Sequence, residues 1–309
     1  MKISITEEMK FRQRVVEYAI KNNNNAMAAR RYGTSRQQVQ RWRKKYDGTV
    51  QSLANKSRRP HKHPNQHTEE ELELLRKKYQ YHKHEGLGEV YRKCMDAGYT
   101  RSYESMCKQL KKLKNYEKPK KISYPKSNYT PLKGTYPEEF VEIDVKYVPN
   151  ECIGFKSDYD RYYQITAIDL YSRKRILKLV NEHSTYETAK MMKTLEEDFG
   201  FKIKTVQTDN GRDFCNDPGQ TESAFERVLR YLGIEYIRTR PYSPWQNGVV
   251  ERSHKIDNEL FYSKRRFGSE TEMYKSFKRY SVRTNNIARR VLGFKTPNEM
   301  VEEYFKKTA

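Results

Sequence analysis

Cysteine is scarce in this 309-residue chain, and the four cysteines form no CxxC pair and show no regular spacing. A disulfide framework is therefore not expected, and a reduced, cytoplasmic protein is the simplest interpretation. Long apolar runs are also missing, and the first residues, MKISITEEMKFRQR, are too polar for the apolar region of a signal peptide. These absences argue against a secreted protein and against a membrane-spanning one.

Acidic residues are outnumbered, since 62 Lys and Arg face 40 Asp and Glu and give a net charge of +22. The excess lies in residues 1–137, which hold 32 basic and 13 acidic residues, whereas the remainder holds 30 and 27. Basic surfaces attract polyanions because each neutralised phosphate releases a counterion. The distribution predicts basic nucleic-acid-binding modules joined to a nearly neutral part with a different task.

Three short helices are predicted within residues 8–46. A small-residue helix is followed by a turn at Gly33 and by a helix that starts at Thr34 or Ser35, either of which can cap it. This layout over residues 1–54 is typical of a helix-turn-helix domain whose second helix enters the major groove of DNA. Its exposed side chains, which we expect to contact DNA, are Arg36, Gln37, Gln40 and Arg41. The alternative is a small helical bundle with a solvated Arg/Gln face.

Two polar, proline-containing stretches predict linkers, one over residues 55–67 and a basic one over 115–137. The histidines of the first stretch raise the option of zinc, but the chain lacks the close cysteine pair of a zinc finger. Between the linkers, residues 68–114 begin with a capping box and predict three helices, similar to a second helix-turn-helix domain. Lys108 and Lys112, near its end, are the expected DNA contacts.

From Phe140 the pattern changes, because FVEIDVKYV alternates apolar and polar residues as a strand does. Two more strands, a helix capped by Ser184, a strand ending at Asp209, a helix, a short strand and a final helix follow. This order resembles a ribonuclease H-like α/β domain, which we expect over residues 138–265. A C-terminal helical segment is expected over 266–309.

Three acids stand out by position. Asp144 lies inside an apolar strand, Asp209 ends a strand in TDNGRDF, and Glu251 lies near the start of a helix in SPWQNGVVERSHK. In a mixed sheet these places can converge at one end, where ligands commonly bind. Clustered carboxylates repel one another, and two Mg²⁺ or Mn²⁺ ions would relieve that repulsion. Such a pair of ions can clamp an in-line displacement at phosphorus, with no covalent protein nucleophile.

Other polar residues near the acids have competing interpretations. Asp169 is expected to be a residue of a strand-end turn rather than a metal ligand, and Glu142 and Asp213 are expected to be structural or charge-tuning. His254 has two open roles, one in contacting DNA phosphate and one in supporting the acids. Gly211 is expected to permit a tight turn or a close approach of DNA.

The segments VEIDVKYV, QTDNGRDF and RPYSPWQNGVVERSHK resemble the three acidic motifs of insertion-sequence transposases and retroviral integrases. The resemblance implies a DDE transposase in which Asp144, Asp209 and Glu251 bind two divalent metal ions and carry catalysis. It also implies cleavage and transfer of DNA strands, with double-stranded transposon ends and target DNA as partners. A homo-oligomer assembled on DNA, at the bacterial nucleoid, is the expected form.

The chain departs from many of these relatives in two places. Between Asp209 and Glu251 lie 41 residues, which is a longer interval than in many relatives, and the excess fits the loop-like CNDPGQTE. Seven residues after Glu251, many relatives have a Lys or Arg that contacts DNA, whereas this chain has Asn258. Lys255 and Asn258 are the contacts expected on this helix, and Trp245 and Tyr242 either stack on bases or pack against the domain.

The leading hypothesis is therefore a metal-dependent transposase. The main alternative is a non-catalytic DNA-binding protein derived from a transposase, which the presence of all three acids disfavours. A nuclease acting on RNA–DNA hybrids would leave the helix-turn-helix units unexplained. A tyrosine recombinase, which the 25 tyrosines bring to mind, would leave the acids unexplained.

Overall fold

The computed structural model describes residues 5–55, 63–112, 132–217, 219–240 and 243–308. The chain divides into two compact units, Met1–Gln66 and His67–Ala309. Most of both predicted linkers lies outside the described residues. No helix within the described ranges combines the length and apolar composition that a membrane crossing requires.

The described part of the first unit has three α-helices, as predicted, followed by the 3₁₀ turn Val50–Leu53. The α-helices are α1 (Glu7–Lys21), α2 (Asn25–Arg31) and α3 (Arg36–Lys45). Gly33 has a φ of +62°, a value that glycine adopts readily. The Ser35 hydroxyl accepts a hydrogen bond from the Gln38 N–H at 3.2 Å, so Ser35 rather than Thr34 caps α3. The buried core of this unit is formed by Val15, Ala19, Ala28, Ala29 and Val39.

The second unit begins with another set of three helices, also predicted. They are α4 (Glu69–His82), α5 (Leu87–Met95) and α6 (Tyr103–Leu110). The capping box is present, with the Thr68 hydroxyl accepting from the Glu71 N–H at 3.2 Å and the Glu71 carboxylate accepting from the Thr68 N–H at 2.8 Å. His67, which the sequence places in a solvated linker, is instead buried, with Nε2 2.8 Å from the Tyr99 hydroxyl. Because its ring packs on Tyr99, His67 belongs to the second folded unit and not to the linker.

A five-stranded mixed sheet forms the centre of the second unit. The strands are β1 (Phe140–Tyr147), β2 (Tyr163–Asp169), β3 (Arg175–Val180), β4 (Thr205–Thr208) and β5 (Glu235–Arg238). Their order is β3-β2-β1-β4-β5, with β1–β2 and β2–β3 antiparallel and β1–β4 and β4–β5 parallel. The associated helices are α7 (Thr185–Phe199), α8 (Ala224–Leu232), α9 (Gly248–Leu260), α10 (Glu270–Thr284) and α11 (Pro297–Thr308).

The predicted order of strands and helices is confirmed. α8 begins after Ser223, which forms a capping box with Glu226. α9 begins at Gly248, directly after the 3₁₀ turn Pro244–Asn247. Glu251 therefore lies in the first turn of α9, as predicted.

The strand β1 has one apolar and one polar face, as its alternating sequence predicts. Val141 and Ile143 are buried in a core that includes residues of α7 and α8. Glu142 and Asp144, which alternate with these two residues, lie on the opposite face of the sheet. On that face α9 packs against β1 and β2. The polar face of β1 therefore meets α9, and this contact positions the candidate site.

Candidate active site

Asp144 lies on β1, and Asp209 directly follows the neighbouring parallel strand β4. β1 and β4 pair with Glu142 opposite Gln207, and continuing this register by two residues places Asp144 beside Asp209. Neighbouring strands are about 4.8 Å apart. The Gly211 N–H donates to Asp209 Oδ1 at 2.8 Å, and a Cβ built on Gly211 would lie 2.9 Å from the same oxygen. A side chain at position 211 would push against the Asp209 carboxylate, whereas glycine leaves that oxygen in place.

Three polar residues of β1 contact α9 at intervals of four residues. The pairs are Glu142 Oε2 with Val250 N (2.8 Å), Asp144 Oδ2 with His254 Nδ1 (3.3 Å) and Lys146 Nζ with Asn258 Oδ1 (2.8 Å). Two residues of a strand span about 6.6 Å and four residues of a helix span 6.0 Å, so the two elements match along their length. α9 therefore runs parallel to β1 and carries Glu251 to the region of Asp144.

Glu142 anchors the first turn of α9. Its side chain is buried, and burial raises the pKa of its carboxyl group to about 7. One oxygen accepts from the Val250 N–H, which lies in the first turn and has no partner within the helix. The prediction that Glu142 is structural is consistent with this contact, which fixes the residue preceding Glu251.

We expect Glu142→Leu to lower strand cleavage about tenfold or more, because a small displacement of a reacting group is costly. The buried Val250 N–H would lose its acceptor. Glu142→Gln keeps an oxygen at the same place and should retain most of the activity. Cleavage rates of both variants on one DNA substrate would measure this, and equal rates for the two variants would contradict the anchoring role.

The electrostatics of the site show three mutually repelling acids. Burial raises the pKa of Asp209, and the charge of Asp144 raises it further. Burial also raises the pKa of Glu251, followed by the charges of Asp144 and Asp209. Each acid is thus within the electrostatic reach of the others. At neutral pH the three carboxylates therefore carry more negative charge than the neighbouring groups balance.

The donor set consists of carboxylate oxygens, which are the ligands that Mg²⁺ and Mn²⁺ prefer. Among the described residues, no three His, Cys, Asp or Glu side chains lie close enough together to hold one metal ion. Asp144, Asp209 and Glu251 therefore converge without closing around a common point. The chemistry of the donors and their uncompensated charge fit a divalent cation.

His254 is held between Asp144 and the strand β2. Its Nε2 lies 3.0 Å from the Thr166 hydroxyl, which in turn accepts from Gln164 Nε2 at 2.9 Å. The Thr166 hydroxyl is then free to donate its hydrogen to Nε2, which leaves the Nδ1–H of His254 to donate to Asp144. This arrangement favours the supporting role for His254, because both ring nitrogens are engaged by the protein.

A buried ion pair between Arg175 and Asp257 holds α9 further along the helix, beyond His254. Arg175 donates to Asp257 Oδ1 at 2.9 Å, and both side chains are almost completely buried, at 1% and 0% exposed. Burial acts to raise the pKa of Asp257, but the charges of Arg175 and Lys146 and the hydrogen bonds from Tyr280 and Gln164 together outweigh it, so the pKa is lowered. Asp257 also accepts from Gln164 Nε2 at 2.8 Å. The pair therefore ties α9 to β2 and β3.

Asp213 and Asp169 occupy structural positions, as predicted. Asp213 lies 2.6 Å from Nε2 of His183. Burial raises the pKa of Asp213 more than the charge of His183 lowers it. Asp169 Oδ2 accepts from the backbone N–H of Ser172 at 2.6 Å and from its hydroxyl at 2.5 Å, which is the turn contact expected of a strand end.

The expected DNA contacts of α3 are exposed. Their side chains make no hydrogen bond or ion pair with another described residue; the four residues are Arg36, Gln37, Gln40 and Arg41. Lys108, Lys112 and Lys255 are exposed as well. Trp245 is 52% exposed, whereas Tyr242 lies outside the described residues. Asn258 is exposed, but its side-chain oxygen accepts from Lys146.

Sequence reasoning missed four residues around the acids, namely Lys146, Gln164, Thr166 and His183. Lys146 lies two residues after Asp144, so the alternation of a strand places both on the same face and could have indicated this residue. Burial lowers the pKa of Lys146 to about 8. Gln164 and Thr166 interrupt an apolar strand at the same period, which was a second signal. His183 lies in a loop, and no local pattern connects it to Asp213.

Comparison with known proteins places two domains on the chain. Residues 134–244 match the sequence profile of the Integrase core domain family, and residues 11–61 match that of a Helix-turn-helix domain family. A search of curated proteins returned no significant match.

Several solved retroviral structures are similar to this chain. A chain of the simian T-cell lymphotropic virus intasome, solved with the PP2A regulatory subunit B56 gamma, has 17% identity and a TM-score of 0.46, covering 72% of this chain and 74% of that chain. The HTLV-2 integrase catalytic core domain in complex with magnesium has 16% identity and a TM-score of 0.42, covering 55% and 99%. The catalytic core domain of BIV integrase has 21% identity and a TM-score of 0.40, covering 56% and 99%.

The two profile matches agree with the architecture. The integrase core match covers the five strands together with α7 and α8, and the helix-turn-helix match covers α2 and α3. The chain therefore combines an N-terminal helix-turn-helix domain with an integrase core domain, whose mixed sheet and helices have the ribonuclease H-like order of elements.

Proposed function

We propose that this protein is a transposase that binds the ends of its transposon, cleaves DNA strands there and joins them to target DNA. Asp144, Asp209 and Glu251 are the proposed catalytic residues and the ligands of two divalent ions, Mg²⁺ or Mn²⁺. One observation supports the proposal: Asp144 on β1 and Asp209 after β4 come from neighbouring parallel strands, and the charges of both raise the pKa of Glu251 on α9.

The residues of the chain have distinct parts in this proposal. When bound, the divalent ions would supply Lewis-acid activation of a phosphodiester and of the attacking hydroxyl. Glu142 and the Arg175–Asp257 pair hold α9 in place, and His254 orients the Asp144 carboxylate. These contacts position α9 and the Asp144 carboxylate before DNA arrives, and such positioning contributes to catalysis.

DNA recognition is proposed for the helix-turn-helix domain. The exposed Arg and Gln side chains of α3 suit guanine and adenine edges in the major groove. The second three-helix set contributes Lys108 and Lys112, and α9 contributes Lys255 and Asn258 close to the acids. Two DNA ends must be brought together for joining, so we also propose a homo-oligomer that assembles on DNA.

Purified protein incubated with duplex DNA that carries the terminal repeats of the element should test the function. With Mg²⁺ we expect nicked ends and strand-transfer products on a denaturing gel, and with EDTA we expect neither. Binding to the repeats with no product under any metal condition would overturn the catalytic proposal and favour a non-catalytic DNA-binding protein.

A further inference from the structure

The second three-helix set, α4–α6, is docked on the C-terminal segment of the same unit. The carboxylate of Glu89, which is 5% exposed, accepts a hydrogen bond from the Ala288 N–H. Arg92 donates to the carbonyl oxygen of Phe294 at 3.2 Å and pairs with Glu299 at 3.1 Å. The contacts of Glu89 with Ala288 and of Arg92 with Phe294 join positions 199 and 202 residues apart. The set is therefore fixed to the rest of the unit by long-range contacts.

The same segment engages the first residues of α6. The centroid of the Tyr103 ring lies 5.2 Å from that of Phe294, and the Arg290 guanidinium lies 4.8 Å from the Tyr103 centroid. Arg290 also pairs with Glu104 at 3.3 Å. In helix-turn-helix proteins, the N-terminal residues of the second helix contact the base edges. The chain itself therefore occupies the side chains with which α6 would begin to read bases.

The helices α3 and α6 can be compared position by position, because a serine caps each of them, Ser35 and Ser102. The first, second, fifth and sixth residues after a cap lie on one face of a helix. In α3 all four are exposed and their side chains have no partner among the described residues; they are Arg36, Gln37, Gln40 and Arg41. In α6 the same positions are held by Tyr103, Glu104, Cys107 and Lys108. Of these four, only Lys108 is both exposed and unpaired among the described residues.

The C-terminal end of α6 carries a group of positive charges. Lys108, Lys111 and Lys112 are exposed, and none of them forms an ion pair with another described residue. The ammonium group of lysine is a compact point charge that binds phosphate, whereas the planar fork of arginine suits bidentate recognition. Contacts to phosphate position a protein on DNA but carry no sequence information. This end of α6 is therefore suited to the DNA backbone and not to base edges.

We propose that the second three-helix set is a clamp for the phosphate backbone of duplex DNA and reads no bases, so that sequence recognition is confined to α3. Lys108, Lys111 and Lys112 supply the contacts of the clamp. Because the set is docked within the second unit, a duplex held by these lysines is held against the unit that carries the three acids. The role of α3 rests on the proposed function, whereas phosphate binding by the lysines does not.

The double variant Lys108→Ala/Lys111→Ala tests the clamp in the full-length protein. The matched control, Lys275→Ala/Lys278→Ala, removes two exposed lysines with the same spacing from α10. Binding is measured without metal, from about 50 to 200 mM salt, on a terminal-repeat duplex and on a scrambled duplex of equal length. Each lost phosphate contact should reduce the slope of log K against log salt by about 0.9, so the α6 variant should lose about 2 on both duplexes. It should keep the wild-type ratio of the two affinities, and the control should match wild type throughout.

Gln37→Ala/Gln40→Ala should behave in the opposite way. It removes no charge, so the salt slope should keep its wild-type value on both duplexes. The affinity for the terminal repeat should fall about tenfold or more relative to the scrambled duplex, because the amides that can bind adenine edges are lost. Glu104→Ala should keep the wild-type ratio, because Glu104 is engaged by Arg290 and not by a base. An unchanged ratio in the α3 variant would overturn the assignment of base reading to α3.

The outcomes separate this inference from the proposed function. A slope reduced on both duplexes by the α6 variant, and unchanged in the control, supports the clamp even if no strand cleavage is ever observed. An unchanged slope in the α6 variant, or an equal reduction in the control, would overturn it. A smaller affinity ratio in the α6 variant or in Glu104→Ala would show that α6 leaves the C-terminal segment and reads bases, which would also overturn it. Each of these results leaves the roles of the three acids untouched.

Discussion

Asp209→Asn is expected to reduce strand cleavage and joining by about 10³-fold or more. The amide keeps an oxygen for the Gly211 N–H, so the local fold should persist. It lacks the negative charge that a divalent cation requires, and metal stabilisation of a phosphoryl transition state is worth several kcal/mol. At 1.36 kcal/mol per tenfold change in rate, about 4 kcal/mol corresponds to a factor of 10³.

The measurement compares wild type, Asp209→Asn and Asp217→Asn on the same terminal-repeat DNA. Asp217 lies in the following loop, is exposed and pairs with Arg212, so its substitution should leave activity unchanged. DNA affinity should be the same for all three proteins, because the helix-turn-helix domain is untouched. Cleavage by Asp209→Asn at the wild-type rate would remove Asp209 from the catalytic set.

Arg175→Met is expected to lower the free energy of unfolding of the second unit by about 3–5 kcal/mol, because it leaves the buried Asp257 carboxylate without its counter-charge. Adding Asp257→Asn removes that charge, so the double variant should be more stable than Arg175→Met alone. The coupling energy is expected to reach about 2 kcal/mol. The lower stability of Arg175→Met should be accompanied by slower strand cleavage, because the Arg175–Asp257 pair anchors α9, the helix that carries Glu251.

Tryptophan fluorescence can follow this unfolding in urea. The chain has two tryptophans, Trp42 and Trp245, so a Trp42→Phe background leaves the reporter in the second unit. Arg212→Met, which breaks an exposed pair, serves as the control and should change little. An Arg175→Met variant as stable as this control would show that the buried pair contributes nothing.

The pH dependence of this pair has a definite sign. The pKa of Asp257 is lowered in the folded protein, so its contribution to stability is present above the unfolded pKa of about 3.9. That contribution is lost as the pH falls through the lower, folded value. The stability difference between wild type and Asp257→Asn should therefore be constant from pH 6 to 8 and shrink below about pH 4.

Local patterns predicted the elements of the fold well. The alternation of FVEIDVKYV set both faces of β1, and hydroxyl caps such as Ser184 and Thr68 marked helix starts. The three acids could be selected because each stood at an unusual place on its element. Their side-by-side arrangement depends on the parallel pairing of β1 with β4, which no single segment encodes.

The contacts that support the site were not predictable from local sequence. The match between β1 and α9 joins residues about 108 positions apart, Glu142 with Val250 being one pair. The role of His254 depends on Thr166, which is 88 residues away. His67 was assigned to a linker because its neighbours are polar, yet long-range packing on Tyr99 buries it. In each case packing between distant segments determined a contact that the local amino-acid sequence does not predict.

Crystals soaked in Mn²⁺ and measured at the manganese absorption edge give the most direct test of the metal site. We predict anomalous peaks for two ions among the carboxylates of Asp144, Asp209 and Glu251. A fully soaked crystal with no peak at these carboxylates, in protein that still binds terminal-repeat DNA, would contradict the account.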